Sequence, residues 1–134
     1  MVNLLSFFEY TQIGSALGID YMDIYQKAPN KTNDLSYLNP FSSLHGIYFF
    51  VEHNGNVIYV GEAHEQSLKD RISQHFQEGT GSLRYKLKHS LSKLRKLEHS
   101  VLYVFPIDKP SDIIKDIEAA LIKLYQPQFN DNLK

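Results

Sequence analysis

Cysteine is absent from the chain, and so is tryptophan. Without thiols there is no disulfide framework and no thiolate metal site, a lack that fits a cytoplasmic setting. No apolar run approaches the roughly 20 residues that a membrane-spanning helix needs. Residues 1–10 have no basic start and carry Glu9, which reads against a signal peptide. Net charge is almost absent too, at −1. That argues against a protein that coats nucleic acid indiscriminately, but it leaves room for a local basic patch.

What is present describes an ordinary globular chain. Its 134 residues are 43% apolar and 22% charged, enough for one compact domain with a real core. Nine tyrosines and eight phenylalanines supply the aromatic content. There is no internal repeat or low-complexity segment. Residues 1–44 read as an extension: a short helix over 4–13, another over 21–26, then a turn-rich stretch over 28–43 with Pro29, Asn30, Asn33, Asp34, Asn39 and Pro40. Residues 45–134 read as the core domain.

The core opens with a hairpin. Residues 46–51 and 56–60 are rich in β-branched and aromatic side chains, and His53-Asn54-Gly55 between them contains the strongest short turn signal. Gly61 is expected to end the second strand. Leu68, Ile72 and Phe76 give one apolar face to a helix over 65–77. After Gly79 and Gly81, a second helix is marked by Leu83, Leu87, Leu91 and Leu94, and residues 101–105 form an apolar third strand. Pro110-Ser111 opens a last helix with Ser111 as N-cap, and Pro127 closes it. Strand, strand, helix, helix, strand, helix predicts an α+β fold: a small antiparallel sheet of about three strands flanked by helices.

Three features carry chemistry. Ile113, Ile114, Ile117, Leu121, Leu124 and Tyr125 share one arc of the last helix, and Glu118 sits at its edge. A carboxylate there is partly buried, hence paired, protonated or metal-bound, unless its stem packs while its head reaches water. Arg71 and His75 lie four apart beside the stripe of Leu68 and Ile72. Such an Arg fits a phosphate with a forked pair of hydrogen bonds, but it also fits the polar flank of an amphipathic helix. Finally, Arg84, Lys86, Lys88, Lys93, Arg95 and Lys96 fall in one stretch with no acid among them. With the leucines inward these six cations face solvent, as a phosphate-binding surface or an ordinary charged face.

Gly46-Ile47-Tyr48 followed one hairpin later by Tyr59-Val60-Gly61 resembles the paired signature of the GIY-YIG nucleases. The similarity continues through Arg71 on the next helix, His75 one turn on, Glu118 on a later helix, and Asn130 after Pro127. It covers residues 45–131 in the family's order. One departure stands out: Glu62 occupies a position where many relatives carry Lys.

The resemblance implies a metal-dependent DNA endonuclease. It assigns Glu118 to one divalent ion, Mg²⁺ or Mn²⁺, and Arg71 to the scissile phosphate. It gives the attacking water to a tyrosine, Tyr48 as first choice of general base and Tyr59 as second. A free phenol has a pKa of about 10, so that role needs a lowered value or a partner such as His75. Gly46, Gly61 and Asn130 then support the site, with Asn130 bracing the hairpin. The cations from Arg84 to Lys96 hold the DNA backbone. Cutting both strands implies a homodimer or larger assembly. A chain of this size reads as a stand-alone restriction-like or phage-like nuclease rather than a large repair subunit. The alternative is a catalytically inactive nuclease-fold module that binds DNA or a protein partner.

Overall fold

A computed structural model describes residues 18–22, 36–76 and 82–131. The helix expected over 4–13 lies outside the described residues, as does 21–26 apart from Tyr21 and Met22, which are helical. Of the turn-rich stretch, Ser36–Phe41 forms a 3₁₀ helix that buries Leu38 and Phe41.

The hairpin forms where the alternating apolar residues and the Asn-Gly turn place it. Strands β2 (Gly46–Glu52) and β3 (Val57–Ala63) pair antiparallel. The turn closes through Gly55 N–H donating to Glu52 O and Glu52 N–H donating to Asn56 O. Strand β3 does not stop at Gly61: Ile47 opposite Glu62 and Gly46 opposite Ala63 carry the ladder two residues further. On its other side β2 pairs with β4 (Ser100–Pro106), antiparallel over its whole length. A fourth strand, β1 (Ile19–Asp20), pairs with β4, so the sheet order is β1-β4-β2-β3. The fold is thus α+β, with an edge strand too short to leave a periodicity signal in the sequence.

Strand β2 is buried on both faces, which its unbroken apolar run requires. Tyr48 and Phe50 point into one cluster with Ile58, Tyr59, Leu68, Ile72 and Leu102. Ile47, Phe49 and Val51 point into another with Val60, Phe105, Ile114 and Leu121. The register shifts between Phe50 and Val51, which face Tyr59 and Val57, so Ile58 is an extra residue, a β-bulge. The bulge lets Ile58 and Tyr59 both join the Tyr48 cluster.

Helix α1 (Leu68–Gln74) is capped by Ser67, whose Oγ accepts from Asp70 N–H at 3.1 Å, and it ends at His75. The single helix expected across Leu83 to Leu94 is two: α2 (Leu83–Leu87) and α3 (Leu91–Glu98), the second capped by Ser90. Ser90 competes for the backbone at mid-helix and wins as a cap. The break turns Leu91 outward, 63% exposed, although Leu83 and Leu87 are buried as expected. Helix α4 (Ser111–Tyr125) begins with Ser111 inside the first turn, not as cap. Pro110 holds that place, and its carbonyl takes the Ile113 and Ile114 N–H groups at 3.1 Å each. The apolar arc of α4 is only partly covered, with Ile113 39% and Leu124 49% exposed. Gln126, at φ 47°, ends α4 before the short α5 (Gln128–Asp131). No helix among the described residues is long and apolar enough to cross a membrane.

Candidate active site

The two ends of the hairpin bring the signature residues side by side. Tyr48 on β2 faces Gly61 on β3, and a Cβ at position 61 would overlap Tyr48 Cζ and its hydroxyl. Gly46 is needed for a different contact: a Cβ there would overlap the Phe105 carbonyl oxygen of β4 and fall 2.8 Å from Ile107 N. One glycine admits the Tyr48 ring, and the other admits the neighbouring strand.

Helix α1 supplies the next two groups. His75, at its C-terminal end, is buried, and its Nε2 lies 2.6 Å from the Tyr48 hydroxyl. The direction of that bond follows the imidazole tautomer. His75 Nδ1 meets no hydrogen-bond partner among the described residues. The rings of Tyr48, Phe50 and Tyr59 surround the imidazole at 5.3 to 5.8 Å between centroids. Tyr21 stacks on Phe76 at 4.5 Å and donates its hydroxyl proton to the His75 carbonyl at 3.3 Å. Burial first, then the positive charges of Arg71 and Lys86, push the His75 pKa well below the ordinary imidazole value, so the ring is neutral at pH 7.

Arg71 is half-buried one turn before His75. Its Nη1 donates to Gln74 Oε1 at 2.9 Å, and Gln74 Nε2 donates to Gln66 Oε1 at 2.9 Å. This chain fixes the guanidinium at one end and leaves further donors for a ligand. Arg71's charge reaches Tyr48, Tyr59, His75 and Glu118 alike.

Both phenols are buried, which raises their pKa values above the ordinary tyrosine value. Tyr48 is lifted well above it by burial first and then by Tyr59, with Arg71 opposing. For Tyr59, Arg71 is the second influence after burial, and it opposes the rise. Of the two, Tyr59 keeps slightly more contact with solvent, at 7% exposed against 0% for Tyr48.

Glu118 is half-buried on α4, and no hydrogen bond or ion pair within the described residues reaches it. Burial and the nearby charge of Glu62 raise its pKa to about 7, against Arg71 and His64. Glu62 faces Ile47 across the hairpin, and Ile47 packs in the cluster with Ile114 and Leu121 of α4. Glu62 accepts from or pairs with His64 Nδ1 at 2.6 Å. No group of three or more His, Cys, Asp or Glu among the described residues could hold a metal ion. Glu118 and the nearby Glu62 are carboxylates, the donor type of a hard cation that takes one or two of them and completes its shell with water and phosphate. An unpartnered, desolvated carboxylate beside a second negative charge is the group such an ion would relieve.

Asn130 stands on the outer edge of the hairpin. Its Oδ1 accepts from Val60 N–H at 2.9 Å and its Nδ2 donates to Val60 O at 2.8 Å. One side chain thereby pairs both backbone groups of an edge-strand residue next to Gly61.

The basic segment is less uniform than its sequence. Arg84 pairs with Glu98 at 3.0 Å with only 15% of its side chain exposed, and Lys96 donates to Gln128 at 3.2 Å. Lys86, Lys88, Arg95 and Lys96 are exposed, and Lys93 is half-buried. Lys86 is the member whose charge is felt at His75. Sequence patterns did not single out Gln66, Gln74, Tyr21 or the Glu62–His64 pair. The i, i+3 spacing of Arg71 and Gln74 was the one available signal.

A family model described as a UvrC-like GIY-YIG domain matches residues 44–131, more than half of the chain. The chain is also similar to curated proteins called UvrABC system protein C. It is 31% identical over 113 residues to that of Dictyoglomus thermophilum, covering 84% of this chain and 15% of the relative. With that of Dichelobacter nodosus it is 35% identical over 96 residues, 70% of this chain and 14% of the relative. With that of Caldanaerobacter subterraneus subsp. tengcongensis it is 36% identical over 89 residues, 66% of this chain and 13% of the relative. The chain therefore spans about one seventh of the length of these relatives.

Proposed function

The chain belongs to the GIY-YIG nuclease family, and from that premise we propose that it is a metal-dependent DNA endonuclease. The observation that carries the reading is Glu118: a half-buried carboxylate that no hydrogen bond or ion pair within the described residues reaches, set beside Arg71 and two buried tyrosines. A carboxylate that loses hydration in this way is normally paired, protonated or metal-bound.

Glu118 would hold one divalent ion, Mg²⁺ or Mn²⁺, with Glu62 as the neighbouring charge. When bound, the ion supplies charge stabilisation at the scissile phosphate and the departing oxygen. Arg71, fixed by Gln74, meets the same phosphate with its remaining N–H groups and needs no reorganisation as charge develops. The attacking water gives its proton to a tyrosine. Burial raises the pKa of both phenols, so the one that acts as base needs a partner to take its proton. Tyr48 has that partner in the neutral His75, whose Nε2 lies 2.6 Å from its hydroxyl, and Tyr59 stands second as base.

The role follows the same weighting. Similarity to UvrC-like domains says more about the reaction than chain length does, so we place the chain with strand-incising enzymes rather than with restriction or phage nucleases. One site of this kind cuts one strand per encounter, and double-strand breaks then require a homodimer or larger assembly. The test is incubation with supercoiled and single-stranded DNA, with Mg²⁺ or with EDTA. Nicking that EDTA abolishes supports the enzyme. DNA binding without any nicking, across Mg²⁺ and Mn²⁺, would leave only a binding module.

A further inference from the structure

Helices α2 and α3 form a groove of about 330 Å³ lined by Arg84, Tyr85, Lys88 and Leu94. Its volume is at the small end of ligand pockets, which run from about 300 Å³ upward, so it suits a single nucleotide-sized group and not a duplex. Tyr85 is an exposed aromatic, at 37%, on a helix whose Leu83 and Leu87 are buried. Those two anchors fix the direction in which Tyr85 projects. Lys88 lies with its Nζ 3.8 Å from the centre of the Tyr85 ring. Arg84 is committed to Glu98, whereas Lys86 and Lys88 are exposed.

This combination is selective. A flat aromatic face beside exposed ammonium groups suits a group that is itself flat and carries a nearby phosphate. Bases inside a duplex are stacked on each other and cannot present a face to a side chain, whereas an unpaired base can. The helix that carries Tyr85 is anchored in the same apolar cluster as Tyr48, through Leu83 and Leu87.

We propose that the groove between α2 and α3 takes an unpaired nucleotide of the DNA, its base stacked on Tyr85 and its phosphate beside Lys88. The inference rests on the reading of DNA as substrate. Lys88, on a flexible exposed stem, leaves the ring face for the phosphate as the base arrives. Leu94 closes the apolar side of the slot. Such a contact favours substrates with locally open strands, because an unpaired base there costs little to deliver.

The experiment measures binding of a short single-stranded oligonucleotide carrying one 2-aminopurine, and of its duplex, to the wild type, Tyr85→Ala, Tyr85→Leu and Tyr85→Trp. Melting curves check that each variant is folded. Tyr85→Ala is expected to weaken single-strand binding by about tenfold or more, with much less effect on the duplex. Tyr85→Trp should restore binding and Tyr85→Leu should not. Fluorescence of 2-aminopurine should be quenched on binding to the wild type and not to Tyr85→Ala. Stacking releases no counterions, so Tyr85→Ala should keep the salt slope, whereas Lys88→Gln should lower it by about 0.7 on single strands. Unchanged single-strand affinity in Tyr85→Ala overturns the proposal, as does an equal loss on duplex, or rescue by Leu equal to that by Trp. Metal-dependent nicking, measured alongside, separates the two readings. Nicking with no Tyr85 effect sinks the groove alone, and a Tyr85 effect without nicking sinks the enzyme alone.

Discussion

Gly61 lies against the ring of Tyr48, so closely that a Cβ at position 61 would occupy the space of the Tyr48 Cζ and hydroxyl. The second glycine of the signature therefore exists to admit its tyrosine. Gly61→Ala is expected to cost about 1–3 kcal/mol of folding stability, as overpacking in a rigid core does. Combining it with Tyr48→Ala should be less harmful than the sum of the two, since the second change removes what the first strikes. Denaturant titration of the three variants checks this, and strict additivity would show that the backbone at position 61 yields instead.

Glu118→Gln should separate catalysis from folding. Cleavage is expected to fall by orders of magnitude, because an ion held there supplies several kcal/mol of charge stabilisation, while DNA binding persists. The pH dependence gives a second readout. Glu118's pKa is raised from 4.5 to about 7 on folding. The folded state thus keeps a proton that the unfolded state has lost, and stability falls as pH rises from about 4.5 to 7. Glu118→Gln removes that decline. His75, with its pKa lowered, works in the opposite sense: the unfolded state gains a proton as pH falls below 6.5 and the folded state does not, so acid destabilises. Melting temperature against pH should then show the acid-side loss more plainly in Glu118→Gln than in the wild type. A profile unchanged by the substitution would mean that Glu118 has the same pKa folded and unfolded, as a solvated carboxylate does.

Arg71→Lys keeps the cation but loses both the fork and the grip of Gln74 at 2.9 Å. Single-turnover cleavage is expected to drop by about a hundredfold or more, with the melting temperature little changed. Near-normal cleavage would remove Arg71 from contact with the reacting phosphate.

Asn130→Ala leaves both backbone groups of Val60 without their side-chain partner. The expected cost is about 1–3 kcal/mol, read by denaturant titration. Asn130→Asp keeps the acceptor for Val60 N–H but places a carboxylate against Val60 O, so it should be the worse of the two. If Asp were the milder change, the brace would not work through paired hydrogen bonds.

The sequence by itself determined the hairpin, the main helices and the apolar third strand of the core. These follow from local periodicity, the Asn-Gly turn and caps, all of which act within a few residues. It also carried the family, because Gly46, Tyr48, Tyr59, Gly61, Arg71, Glu118 and Asn130 are read in order along the chain. Tertiary structure decided the rest. Strand Ile19–Asp20 exists only because β4 offers an open edge, and two residues hold no pattern of their own. The break before Ser90 and the outward turn of Leu91 depend on a cap competing with helix continuation. The bulge at Ile58 brings Tyr59 into the Tyr48 cluster. Arg84 lost its freedom to Glu98, and Glu62 gained His64, through contacts that charge counting cannot see. Tyr48 and His75 are 27 residues apart, and they meet at 2.6 Å only because α1 packs over the face that β2 turns toward it. Local chemistry set which groups were available. Long-range closure of the sheet and its helices decided which of them share a low-dielectric site, and with it their protonation.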